Sequence, residues 1–187
     1  MAAFTGLRSK LGRKTGVLVA ASAAVATSLA AAPAHATTSW FSTIVNDGSN
    51  KCIEVYHSET TNYANVDQYT CNGSDTQQWM FVSEGYNSNS LELFEIVNNN
   101  SGKCLDVYDG GTANYTNVDQ YTCNRTGAQL WYFGGSNPSS DPGHGISLVL
   151  INNGSGKALD VQGGSKANYG NIDIYQDNES DAQFFSY

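Results

Sequence analysis

Glu54, Asp106 and Asp160 each stand in a short run of alternating side chains, CIEV, CLDV and ALDV. Each run is followed by a polar, aromatic phrase: NYANVDQYTCN at residues 62–72, NYTNVDQYTCN at 114–124 and NYGNIDIYQDN at 168–178. A carboxylate can accept hydrogen bonds from two neighbouring hydroxyls, and the apolar C–H face of a pyranose can lie on a tyrosine ring. Carboxylate and tyrosine presented together therefore suit the binding of sugars, provided the backbone brings them to one place.

Strand geometry predicts that it does. Alternate residues of a strand share a face, so Ile53 and Val55 point one way while Cys52 and Glu54 point the other, and Asp67, Tyr69 and Cys71 share a face. If Cys52 and Cys71 were bonded directly across antiparallel strands, Glu54 would oppose Tyr69. The same construction pairs Asp106 with Tyr121 and Asp160 with Tyr175, each away from the core. A plainer account makes the tyrosines half-buried strand residues selected for β-propensity; their recurrence beside an acidic residue in all three copies favours the site. Gln68 and Gln120 fall on the inward face, where the third copy has Ile174. Buried amides need partners, so backbone bonds or partial exposure are expected there.

The elements that would position these groups recur too. Aligned on VNDGSNKCIEV (45–55), VNNNSGKCLDV (97–107) and INNGSGKALDV (151–161), the copies keep one ruler. Cys71 and Trp79 lie 19 and 27 residues after Cys52, as Cys123 and Trp131 do after Cys104, and Asp177 and Phe185 do after Ala158. Gly/Asn/Ser clusters followed by alternating runs are turn and strand signals, and no stretch after residue 40 keeps a helical period. Three such units suit a closed all-β barrel with pseudo-threefold symmetry better than an open solenoid, which would leave apolar ends to cap. Four cysteines permit three connectivities; the repeat favours Cys52–Cys71 and Cys104–Cys123, each bridge stabilising by roughly 3 kcal/mol in the chain-entropy account.

Composition narrows the function. Arg8, Lys10, Arg13 and Lys14 precede an alanine-rich apolar run ending in Ala34-His35-Ala36, so residues 1–36 read as a secretory signal peptide and the chain as a secreted, extracellular protein. Residues 37–187 keep five of the nine basic residues and all seventeen acidic ones, a net charge of −12, which disfavours nucleic acid and anionic membranes as partners. No later segment could span a bilayer as a helix. The repeated carboxylates lack the single asymmetric pair that glycoside hydrolysis needs, and no zincin, nucleophile-elbow or phosphate-loop motif is present. No enzymatic activity, cofactor or metal is expected.

These residues resemble the ricin B-type lectin family, a group of carbohydrate-binding modules, over about residues 41–187. The resemblance rests on the C-[IL]-[DE]-V opening and on Gln-x-Trp, seen as Gln77-Gln78-Trp79 and Gln129-Leu130-Trp131, with Gln183-Phe184-Phe185 as a degenerate third instance. It implies a β-trefoil, with repeats of about 41–91, 92–145 and 146–187. It also implies that Gln77, Trp79, Gln129, Trp131, Gln183 and Phe185 are structural. Sugar sites carried over from the family comprise Asp106, Asp119, Tyr121 and Asn124 in the second unit, Asp160, Asp173, Tyr175 and Asn178 in the third, and Glu54, Asp67, Tyr69 and Asn72 in the first. Glu54 is one methylene longer than the usual Asp, and Thr76, Ala128 and Ala182 replace an Asn that often precedes the signature Gln. The resemblance implies a monomeric lectin for mono-, oligo- or polysaccharide. The competing use of such a fold is protein binding, as in a protease inhibitor, through a loop such as 83–90 or 135–144.

The third unit lacks both the disulfide and the tryptophan. Amide exchange under oxidising conditions is therefore expected to be fastest in residues 158–185; uniform protection across the three units would count against this.

Overall fold

The structure is a computed structural model that describes residues 39–137 and 147–187. The expected signal peptide and most of the 135–144 loop lie outside the described residues. Within them the first unit forms β1 (Ser39–Thr43), β2 (Val45–Asn46), β3 (Lys51–Val55), β4 (Ala64–Tyr69) and β5 (Gln78–Tyr86). The second forms β6 (Glu92–Asn98), β7 (Cys104–Val107), β8 (Thr116–Tyr121) and β9 (Trp131–Asn137). The third forms β10 (Ser147–Asn152), β11 (Ala158–Val161), β12 (Gly170–Tyr175) and β13 (Phe184–Ser186). Each unit is thus four strands, the first strand of unit one being broken at Ile44, and the helical content described is confined to short 3-10 turns.

The outer strands close a barrel: β1 pairs with β5, β5 with β6, β6 with β9, β9 with β10, β10 with β13, and β13 with β2. The inner hairpins β3–β4, β7–β8 and β11–β12 cap one end, and their second strands pair around a triangle, β4 with β8, β8 with β12 and β12 with β4. This is the β-trefoil arrangement. It leaves the barrel without free edges.

The core holds the inward half of every alternating run: Ile53, Val55, Leu105, Val107, Leu159 and Val161 are fully buried, together with Val66, Val118 and Ile172. Trp79, Trp131 and Phe185 fill its centre at zero exposure. Their structural role is secured for the tryptophans by indole N–H bonds to the Ile53 carbonyl (3.2 Å) and the Leu105 carbonyl (3.1 Å). Gln68 and Gln120 find the backbone partners that burial demands. Gln68 Nε2 donates to the Ser165 and Ala167 carbonyls, and Gln120 Nε2 to those of Glu59 and Thr61. Both disulfides form as expected, Cys52–Cys71 and Cys104–Cys123, each with Cα atoms 5.0 Å apart.

At the centre of the triangle three carboxamides close a ring. Asn65 Nδ2 donates to Asn171 Oδ1 (3.0 Å), Asn171 to Asn117 (3.0 Å) and Asn117 to Asn65 (2.9 Å). Each spends its second N–H on the carbonyl of the following residue, Val66, Val118 or Ile172. Asn117→Ala removes two of the three ring bonds and strands half-buried partners. It is expected to lower the unfolding free energy by about 1–3 kcal/mol in urea denaturation, and an unchanged midpoint would show that the ring is dispensable.

Candidate functional site

Each acidic residue of the CIEV, CLDV and ALDV runs sits two residues before a sharp 3-10 turn whose middle residue has left-handed φ: His57 (52°), Asp109 (51°) and Gly163 (64°). The inner hairpins share one register, which differs by two residues from the one expected. Cys52 opposes Tyr69 and Glu54 opposes Asp67; Cys104 opposes Tyr121 and Asp106 opposes Asp119. In the third unit Ala158 opposes Tyr175 and Asp160 opposes Asp173. The expectation failed because Cys71 and Cys123 lie two residues past the ends of β4 and β8, so each disulfide ties a strand to a following loop and is not a rung of the ladder.

The consequence is a face-to-face carboxyl pair in every unit. Asp67, Asp119 and Asp173 are at most 1% exposed, against 6–8% for Glu54, Asp106 and Asp160. Both carboxyl oxygens of Asp119 and Asp173, and one of Asp67, have no hydrogen-bond partner. Burial, reinforced by the acidic residue opposite, pushes the Asp67, Asp119 and Asp173 carboxyls up to about 7. Asp106 rises to about 6 through burial, opposed by a hydrogen bond from Gln129. Glu54 and Asp160 also rise with burial, opposed by Gln77 and Gln183.

The signature glutamines brace the loop that follows the tyrosine, and in the first unit Gln77 also ties that loop to the carboxylate. Gln77 Nε2 donates to Glu54 Oε2 (2.8 Å) and to the Thr70 carbonyl, while its Oε1 accepts the Asn72 backbone N–H (2.8 Å). Gln129 likewise joins the Thr122 carbonyl to the Asn124 N–H, and Gln183 joins the Gln176 carbonyl to the Asn178 N–H. The Asn72, Asn124 and Asn178 side-chain oxygens close turns onto the N–H groups of Ser74, Thr126 and Ser180.

Two cavities open over these constellations. That of the second unit, about 450 Å³, is lined by Asp106, Tyr121 and Asn124, and that of the third, about 440 Å³, by Asp160, Tyr175 and Asn178. Carboxylate, tyrosine and asparagine therefore meet as the residue pattern implied, although not through the pairing it implied. Asp119 and Asp173 are buried behind Asp106 and Asp160 in the ladder and are not among the lining residues. Each cavity also has a wall from the preceding repeat, Tyr63 in one and Tyr115 in the other, and the third carries a cation, Lys166. Sequence reasoning passed over these tyrosines; the available signal was the first Tyr of the repeated phrase, as constant as the second. In the first unit Tyr56 stacks on His57 at 3.8 Å, and both meet Tyr169 edge-on. Tyr108-Asp109 and Gln162-Gly163 occupy the corresponding turns elsewhere.

The sequence profile of the family described as "ricin-type beta-trefoil lectin domain-like" matches residues 34–121 and 86–175. The chain belongs to that family. Among solved structures, this trefoil is similar to the designed threefold-symmetric protein ThreeFoil, with 31% identity and a TM-score of 0.66 over 78% of this chain and 96% of that one. It is also similar to the exo-β-1,3-galactanase 1,3Gal43A from Clostridium thermocellum, with 31% identity and a TM-score of 0.67 over 77% of this chain but 29% of the galactanase. A ricin B-like lectin from Macrolepiota procera, solved with lactose, shares the fold at 15% identity and a TM-score of 0.59, covering 79% of this chain and 93% of that one. No curated protein sequence matches the trefoil chain closely enough to count as a relative. None of the helices among the described residues is long and apolar enough to cross a membrane.

The paired carboxyls give the trefoil a pH dependence of definite sign. Their folded values lie above the ordinary 3.8, so the fold binds these protons more tightly than the unfolded chain does. The stability they contribute is fully present below pH 3.8 and is lost as pH rises through about 7. Between pH 5 and 8 the Tm is expected to fall by roughly 3 °C or more. Asp119→Asn should shrink that fall and raise the Tm at pH 8; a Tm rising with pH would contradict the assignment.

Proposed function

We propose that this member of the family is a secreted, non-enzymatic lectin that holds pyranose sugars, free or within a polysaccharide, at up to three shallow sites. The observation that carries this reading is the convergence, in each of two cavities, of a carboxylate, a half-exposed tyrosine and an asparagine whose backbone N–H is held by a buried glutamine. The carboxylate would accept hydrogen bonds from vicinal hydroxyls, the ring would take the C–H face, and the asparagine amide, whose oxygen is occupied by its own turn, would donate. Secretion is supported by the signal-like residues 1–36 and by two disulfides, which suit an oxidising compartment. Lectins among the structural neighbours support the carbohydrate reading, and the galactanase, far longer than this chain, carries its similar part within a larger enzyme.

The sites are not equivalent. The second combines Asp106, Tyr121 and a disulfide; the third lacks the bridge; the first has the longer Glu54 and an aromatic cluster of its own. The second is expected to bind best and the first worst, with avidity on a polymer of about 10²-fold where geometry lets several sites engage. A glycan array followed by calorimetric titration of the best sugar tests the reading. Asp106→Asn is expected to weaken binding about tenfold, and Tyr121→Ala should cost more than Tyr69→Ala. Equal losses for Tyr69→Ala, Tyr121→Ala and Tyr175→Ala would reject the ranking, and no loss in any of them would reject the sites.

A further inference from the structure

Tyr63, Tyr115 and Tyr169 hold a backbone conformation that a tyrosine does not favour. Their φ angles are 66°, 65° and 63°, in the left-handed region where glycine and asparagine are cheaper and bulky residues are strained. Their rings are not packing residues, since 53%, 59% and 52% of their surface stays exposed. Neither β-propensity nor core filling accounts for an aromatic there, yet all three repeats have one.

Each is locked onto the next repeat around the axis. The Tyr63 N–H donates to the Gln120 carbonyl, that of Tyr115 to Ile174 and that of Tyr169 to Gln68, all at 2.8 Å. The residue before each tyrosine adds a second clasp. Asn62 Oδ1 accepts the backbone N–H of Thr122, Asn114 that of Gln176 and Asn168 that of Thr70, each at 3.1 Å and each one residue past the next repeat's site tyrosine. These contacts over-determine the strained backbone and aim the rings. Tyr63 lies 5.0 Å from Tyr121 at 56°, Tyr115 lies 4.9 Å from Tyr175 at 54°, and Tyr169 lies 5.1 Å from Tyr69 at 50°. The two rings meet at an angle, and in the second and third units both line the cavity that also contains Asp106 or Asp160.

We propose that Tyr63, Tyr115 and Tyr169 are ligand-contacting walls of the sugar site in the following repeat, so that no single repeat carries a complete site and the three sites are completed cyclically. This rests on the carbohydrate-binding reading above. A pyranose lying on Tyr121 would have one edge against Tyr63, the two rings fixing its orientation over Asp106, and the first site would be closed by Tyr169 from the far end of the chain.

The test is site-resolved. The full chain is titrated with lactose and with xylotriose, and the backbone amides of Asn72, Asn124 and Asn178 report the first, second and third sites by NMR. Tyr63→Ala is expected to weaken binding read at Asn124 about 3- to 10-fold while leaving Asn72 unchanged. Tyr115→Ala should act at Asn178 and Tyr169→Ala at Asn72, and Tyr63→Phe should retain binding. Tyr63→Leu, with Tm checked, replaces Tyr63→Ala if the alanine variant fails to fold. An effect of Tyr63→Ala at Asn72 in place of Asn124, or none at any site while Tyr121→Ala abolishes the Asn124 response, would overturn the proposal and leave the carbohydrate reading standing. Absence of any response to either sugar in the unmodified chain would reject both.

Discussion

Three asparagine carboxamides, each donating to the next around the pseudo-threefold axis, hold the ends of β4, β8 and β12 together. A triangle of strands leaves its centre without the regular ladder, and polar groups there must be paired or pay a desolvation penalty. The ring uses every donor it has: one N–H to the neighbour and one to its own strand's next carbonyl. With the triangle closed, each hairpin lies beside the next, and the turn before one hairpin's second strand reaches the tyrosine of another. The functional surface is a consequence of that closure.

The same geometry turns the inner strand pairs into an electrostatic compromise. Asp67, Asp119 and Asp173 share a face with the site tyrosines, so they cannot enter the hydrophobic core, yet the closed triangle buries them almost completely. They are held toward the neutral form chiefly because burial penalises the charged carboxylate, and further because Glu54, Asp106 and Asp160 face them with a like charge. In the first unit the buried Gln77 holds the outer carboxylate, Glu54, and its amide oxygen holds the backbone N–H of Asn72.

Repetition keeps the frame constant and lets the rims differ. Tyr56-His57, Tyr108-Asp109 and Gln162-Gly163 occupy equivalent turns, and Lys166 lines the third cavity alone of the two described. These substitutions alter shape and charge at the mouth without touching the core positions held by Trp79, Trp131 and Phe185.

Much was legible in the chain itself. The threefold repeat, the strands, both disulfides and the backbone partners of Gln68 and Gln120 follow from spacing, alternation and the cost of burying an unpaired amide, which are local rules, whereas the core role of the Gln-x-Trp aromatics was implied by the family resemblance. The hairpin register was not legible, because a disulfide constrains two α-carbons to within a few ångströms and tolerates a cysteine two residues past the strand end as readily as one within it. Nor was the burial of Asp67, Asp119 and Asp173, since alternation assigns a face but not what covers it. That Tyr63 meets Tyr121, and Tyr169 meets Tyr69, was decided only by the tertiary structure: those residues lie far apart along the chain, and it is the closure of three hairpins about one axis that sets their rings side by side.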